Sequence, residues 1–120
     1  MKTILLADDE TNLRMLVCTT LDDPQYRILE AANGTAALEL ARQEHPDLLV
    51  LDWMMPGMTG IEVAKALRRD PATAQIPIIM LTAKGQGTDR EQGRALGTYA
   101  YLVKPFSPLE LLEKVQKVLG

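Results

Sequence analysis

Five polar side chains stand directly after short apolar runs. Asp8 and Asp9 follow Ile4 to Ala7, Asp52 follows Leu48 to Leu51, Thr82 follows Ile78 to Leu81, and Lys104 follows Ala100 to Val103. If the runs are neighbouring strands, these residues gather at one sheet edge. Three carboxylates brought together repel one another and raise their own pKa values unless a cation offsets the charge. Carboxylate oxygens without Cys or His beside them are hard donors, which favour Mg²⁺ over Zn²⁺. A carboxylate, a divalent cation, a hydroxyl and an ammonium around one point suit phosphoryl transfer. The metal and Lys104 would offset charge on the equatorial oxygens while Asp52 attacks in line. Taken singly, each residue has a plainer reading: Asp8 and Asp9 as a helix N-cap and its neighbour, Thr82 as a strand terminus, Lys104 as a solvated lysine. The complementary set recurring at successive strand ends favours the chemistry.

The elements that must position this set are legible from periodicity. The four runs are apolar at consecutive positions, which suits strands buried on both faces of a parallel sheet. Tyr26 to Glu30 mixes Arg27 and Glu30 with Ile28 and Leu29 and reads as an edge strand. Between the runs the spacing turns helical. Leu13, Leu16, Val17, Thr20 and Leu21 share one face, and so do Leu111, Leu112, Val115, Val118 and Leu119. Ala37, Leu40 and Ala41 mark another helix, and Ile61, Ala64 and Leu67 a further one. Thr59 with Glu62, Thr88 with Glu91, and Ser107 with Glu110 fit the capping box, the last with Pro108 at the first helical position. The helix from about Thr88 to Leu96 is the weakest, with Gly93 inside it and Gly85 and Gly87 before it. Five strands alternating with five helices predict a doubly wound α/β fold with helices on both faces of one parallel sheet. Such sheets bind ligands at their carboxyl edge.

Composition agrees. The 120 residues are 47% hydrophobic and 24% charged, an ordinary globular balance that fits one domain over residues 1–120. The single cysteine, Cys18, has no partner for an internal disulfide. A net charge of −3 gives no electrostatic pull toward nucleic acid. The first apolar run is too short for a signal segment or a membrane span, so the cytoplasm is the expected compartment.

The chain resembles a response-regulator receiver domain of two-component signalling over essentially its whole length. The resemblance rests on Leu6-Ala7-Asp8-Asp9-Glu10, on His45-Pro46-Asp47 leading to Leu51-Asp52 and Met55-Pro56-Gly57, on Leu81-Thr82-Ala83, and on Tyr101-Leu102-Val103-Lys104-Pro105-Phe106. It implies a flavodoxin-like (βα)5 fold with strand order 2-1-3-4-5. It also implies that Asp52 is the phosphoacceptor, taking a phosphoryl group from a sensor histidine kinase or a histidine phosphotransfer protein. Asp9, Asp52 and the Met54 backbone carbonyl would bind Mg²⁺ directly and Asp8 through water, with Mn²⁺ able to substitute. Thr82 and Lys104 would contact the phosphoryl oxygens, Tyr101 would change rotamer on activation, and the Lys104-Pro105 bond would be cis. The expected role is signalling, with catalysis limited to the domain's own phosphorylation and dephosphorylation. No membrane and no direct nucleic-acid contact are expected, and the output partner is unidentified. Met54 and Lys84, two positions after Asp52 and Thr82, are expected to favour a persistent acyl phosphate. Thr98-Tyr99 stand where the family commonly has Ala-Asp, and the expected output surface runs through Gly85 to Leu96 with Arg90, Arg94 and Tyr99.

Other residues carry structural readings. His45 is expected at a helix C-terminus, Trp53 in partial packing beside the site, Cys18 off the apolar stripe of its helix, and Arg68-Arg69 at a solvated helix end. Gly85-Gln86-Gly87 lacks the third glycine of a dinucleotide fingerprint, Arg90 standing in its place. Two other functions use similar parts. A Mg²⁺-dependent phosphohydrolase would need a second acid toward a small substrate, and turnover of phosphate esters would reveal it. A nucleotide or flavin module would need a Walker loop or a complete glycine fingerprint, and a cofactor spectrum would reveal it.

Overall fold

The computed structural model describes residues 1–83 and 97–120. Its strands are β1 (Lys2–Ala7), β2 (Tyr26–Ala31), β3 (Leu48–Asp52), β4 (Ile78–Ala83) and β5 (Ala100–Lys104). Its helices are α1 (Thr11–Thr20), α2 (Gly34–Glu44), α3 (Gly60–Arg69) and α4 (Pro108–Leu119). The segment expected to form a helix over Thr88 to Leu96, its capping pair, Lys84, Arg90 and Arg94 lie outside the described residues. All strand pairings are parallel, in the order β2-β1-β3-β4-β5.

Strand side chains alternate between two cores. Leu5, Ala7, Leu49, Leu51, Ile78 and Met80 pack against α2 and α3. Ile4, Leu6, Leu48, Val50, Ile79 and Leu81 pack against α1 and α4. This is why the central runs show no hydrophobic alternation: both faces of β1 and β3 are covered, and every residue of β3 is buried. β2 is an edge strand, as its charged residues require. β5 departs from the expectation of burial on both faces. It is the other edge, and only Leu102 in it is buried, because among the described residues β4 is its one neighbouring strand.

Local signals set the helix ends. Thr59 and Glu62 form the expected capping box on α3, as do Ser107 and Glu110 on α4, where Pro108 takes the first turn. His45 closes α2 in the left-handed region, at φ 44°. On α1 the stripe is rotated from the expected one: Leu16 is exposed, while Cys18 is partly buried against the core shared with α4. Burial and then the neighbouring Glu30 charge push the Cys18 thiol pKa up, which keeps the thiol protonated.

Gly34, the first residue of α2, is packed against the loop before α3. A β-carbon there would meet the Met58 carbonyl oxygen, and Met58 Cβ at 2.6 Å. Alanine for glycine in an unhindered helix stabilises by up to about 1 kcal/mol. Gly34→Ala is therefore expected to have the opposite sign, costing about 1–3 kcal/mol. A lowered urea midpoint at unchanged slope checks this.

Candidate functional site

Strand register brings the polar strand ends together. Ala7 pairs with Leu51, which sets Asp8 beside Asp52 at the carboxyl edge. Thr82 pairs with Val103 and Ala83 with Lys104. The turns off β1 and β3 are held by hydrogen bonds from backbone N–H groups. Asp8 Oδ1 accepts the Glu10 N–H at 2.8 Å as the chain leaves β1 for α1. Asp52 Oδ1 accepts the Met54 N–H at 3.4 Å. Trp53 donates its N–H to the Leu81 carbonyl at 2.9 Å, and its own carbonyl accepts the Gly60 N–H at 2.8 Å. Gly60 must be glycine for this approach, since a β-carbon there would strike the Asp52 carbonyl oxygen and lie 3.0 Å from Trp53 Cα.

One carboxylate oxygen each from Asp8, Asp9 and Asp52 lies within 4.8 Å of the others. Asp8 and Asp52 are buried and Asp9 is exposed. The Lys104 ammonium bridges the buried pair, with Nζ 3.1 Å from Asp8 Oδ2 and 3.3 Å from Asp52 Oδ1. Burial, then the Asp8 charge, push the Asp52 carboxyl up from 3.8 to about 6, against the opposing pull of Lys104 and the Met54 N–H. Burial alone would lower the Lys104 pKa, but the Asp52 and Asp8 carboxylates outweigh it and the net shift is upward. Lys104 is thus a cation at neutral pH. One ammonium among three carboxylates leaves excess negative charge. The donors are all carboxylate oxygens converging from the ends of β1 and β3, which fits a hard divalent cation such as Mg²⁺.

The other expected residues are close by in the fold. Thr82 is buried at the end of β4. Tyr101 pairs with Met80, so it lies on the same sheet face as Thr82, two positions back along the strand direction. It is half-buried, and its hydroxyl accepts from Thr98 Oγ1 at 3.0 Å. The Met54 side chain is exposed, Trp53 is buried in the α2/α3 core, and the Lys104-Pro105 bond is cis. Tyr99 is half exposed, its N–H donating to the Ile78 carbonyl at 2.8 Å.

Two arginines hold roles that composition and spacing did not reveal. Arg68 is not a solvated helix end. Its guanidinium folds over the α3–β4 connection and donates to the carbonyls of Ala74 at 2.9 Å and Ile76 at 2.7 Å. Arg14, one turn into α1, donates from Nη1 to the Asp8 carbonyl at 2.7 Å and from Nε to Glu30 Oε1 at 3.2 Å. The available signal was the position of Arg14 one helical turn beyond Asp9 and Glu10.

Fold and site together define a doubly wound parallel sheet that carries an acidic cluster and a lysine at its carboxyl edge. Residues 4–116 match the family model of the response regulator receiver domain, and the chain belongs to that family. It is 47% identical over 118 residues to the phosphate regulon transcriptional regulatory protein PhoB of Pseudomonas aeruginosa, covering 98% of this chain and 52% of the relative. It is 47% identical over 116 residues to the transcriptional regulatory protein ResD of Bacillus subtilis, covering 97% and 47%. The chain thus spans about half the length of the curated relatives it matches. The crystal structure of a putative response regulator from Chloroflexus aurantiacus superposes with a TM-score of 0.91 at 35% identity, covering 98% of this chain and 97% of that one. The chemotaxis response regulator CheY4 of Vibrio cholerae does so with 0.90 at 38%, covering 98% of each. The chain is a receiver domain of two-component signalling, a signalling module whose family role is phosphoacceptance.

Electrostatics at the site generate a stability prediction. The Asp52 pKa is higher folded than unfolded, so its protonated form favours the folded state. That contribution is complete below about pH 4 and is lost as pH rises through about 6. In metal-free protein at pH 7, Asp52→Asn should raise the melting temperature by a few degrees, and the gain should shrink toward pH 4. Thermal melts in EDTA across that range check it.

Proposed function

We propose that Asp52 is the phosphoacceptor and that Lys104, Thr82 and the acidic pair Asp8 and Asp9 complete the reacting site. The observation that supports this most is the Lys104 ammonium lying between Asp8 and Asp52 at the carboxyl edge. A carboxylate oxygen of Asp52 attacks phosphorus while the phosphorus–nitrogen bond of a phosphohistidine donor breaks and the imidazole leaves. The donor is a sensor histidine kinase or a histidine phosphotransfer protein. Lys104, 3.3 Å from Asp52 Oδ1, is placed to donate to a phosphoryl oxygen, and the Thr82 hydroxyl to another. Asp8, Asp9 and Asp52 with the Met54 carbonyl would hold Mg²⁺, or Mn²⁺ in its stead. When bound, the ion supplies Lewis-acid neutralisation of the phosphoryl charge. The same residues serve the loss of phosphate, so catalysis here acts on the domain itself.

A phosphoryl group adds about two negative charges at the site. Thr82 is drawn toward them, and Tyr101, on the same face, exchanges its Thr98 hydrogen bond for the space vacated. The output surface then changes around Tyr101, Tyr99 and the start of α4. Two relatives are named transcriptional regulators. The −3 charge of these 120 residues favours protein partners for the receiver itself. A cytoplasmic location accords with this signalling role, and among the described residues no helix is long and apolar enough to cross a membrane.

Incubation with a phosphohistidine donor or acetyl phosphate and Mg²⁺ should yield a hydroxylamine-labile phosphate on the wild type. Asp52→Asn should carry none, and EDTA should stop the transfer. Label on Asp52→Asn at the wild-type rate would overturn the assignment.

A further inference from the structure

We infer that Arg14 is a positioning residue for the acidic pair, holding the peptide between Asp8 and Asp9 in the orientation that a divalent cation requires. The inference rests on the proposed metal site and extends it to a residue that touches none of the carboxylates in it. α1 begins without the usual side-chain cap: Glu10 occupies the N-cap position and its side chain makes no capping hydrogen bond. The junction is held from the other direction. Arg14 reaches back from the first turn and donates from Nη1 to the Asp8 carbonyl at 2.7 Å. Because that carbonyl belongs to the same planar peptide as the Asp9 N–H, fixing it fixes the plane from which the Asp9 side chain departs.

The guanidinium is itself anchored. Nε donates to Glu30 Oε1 on β2 at 3.2 Å, and the Arg14 side chain is 16% exposed while Glu30 is 49% exposed. Arg14 thus ties the acidic junction to the edge strand, where the Asp8 N–H already donates to the Ala31 carbonyl at 3.1 Å. The planar fork of arginine serves two acceptors in different directions at once, which a lysine ammonium on a flexible stem does less well. Asp9 is the exposed member of the acid cluster, the one with least packing to hold it, and so depends most on its backbone. Mg²⁺ tolerates little departure from octahedral geometry, so an error in the plane of this peptide falls directly on its affinity. Groups that orient ligands without touching the ion typically contribute about 10–100-fold in affinity.

The test is Mg²⁺ binding to metal-free protein, followed by calorimetry and by Trp53 fluorescence, beside thermal melts without metal. Arg14→Ala should weaken Mg²⁺ binding about tenfold. Arg14→Lys should fall between it and the wild type, and Glu30→Ala, which frees the guanidinium but leaves it in place, should lose less than Arg14→Ala. A lowered melting temperature with Mg²⁺ affinity within about twofold of wild type in Arg14→Ala would mark a merely structural role and overturn the inference. If Arg14→Ala does not fold, wild-type affinity in both Arg14→Lys and Glu30→Ala overturns it equally. Absence of Mg²⁺ binding by the wild type removes the metal site itself, an outcome distinct from a site that binds but ignores Arg14.

Discussion

The Lys104 ammonium between the Asp8 and Asp52 carboxylates is the interaction on which this structure turns. Buried carboxylates a few ångströms apart cannot all ionise cheaply, and their repulsion would open the sheet edge if nothing offset it. Lys104 offsets part of it, leaving the Asp52 carboxyl pushed up to about 6 and the site still short of positive charge. That shortfall is the useful property. A divalent cation would supply the positive charge that the protein leaves missing, and without one the cost of the shortfall falls on the stability of the fold.

Such a site needs a rigid base. The two cores, one under α2 and α3 and the other under α1 and α4, are filled by alternate residues of the same strands. β3, central in the sheet and buried at every position, carries Asp52 at its end. The loops that follow β1 and β3 are also held by discrete contacts. Trp53 spans between Leu81 and Gly60, Gly60 rests against the Asp52 carbonyl, and Arg14 grips the Asp8 carbonyl from α1. Stability comes from the apolar layers, and geometry at the edge comes from hydrogen bonds and a close-packed glycine.

Tyr101 links this edge to the outer strand. Among the described residues β5 pairs with β4 alone and most of its residues are partly exposed, and Tyr101 accepts from the Thr98 hydroxyl and packs against the core under α2 and α3. A strand that is partly exposed along most of its length yields to local movement at lower cost than one buried at every position. The two strands thus differ in how tightly the fold holds the residues they carry.

The amino-acid sequence by itself determined the strands, several helix ends and which polar side chains stand at the strand ends. These depend on properties that local pattern reports: consecutive apolar residues for strands covered on both faces, Thr59 with Glu62 and Ser107 with Glu110 for caps, and acids, hydroxyl and ammonium placed just past each run. What only the tertiary structure decided were relations between segments distant in the chain. Ala100 to Val103 is as apolar as the central runs, yet it is an edge strand, because strand order rather than composition sets the number of neighbours. Arg68 beside Arg69 has the composition of a solvated helix end, and only the course of the following connection brings the Ala74 and Ile76 carbonyls within its reach. Arg14 stands one helical turn beyond Glu10, but nothing in the sequence links it to Glu30 until β2 pairs with β1 and sets one against the other. Local periodicity records how a segment is solvated. It carries no record of which partners a long side chain meets once the segments are packed.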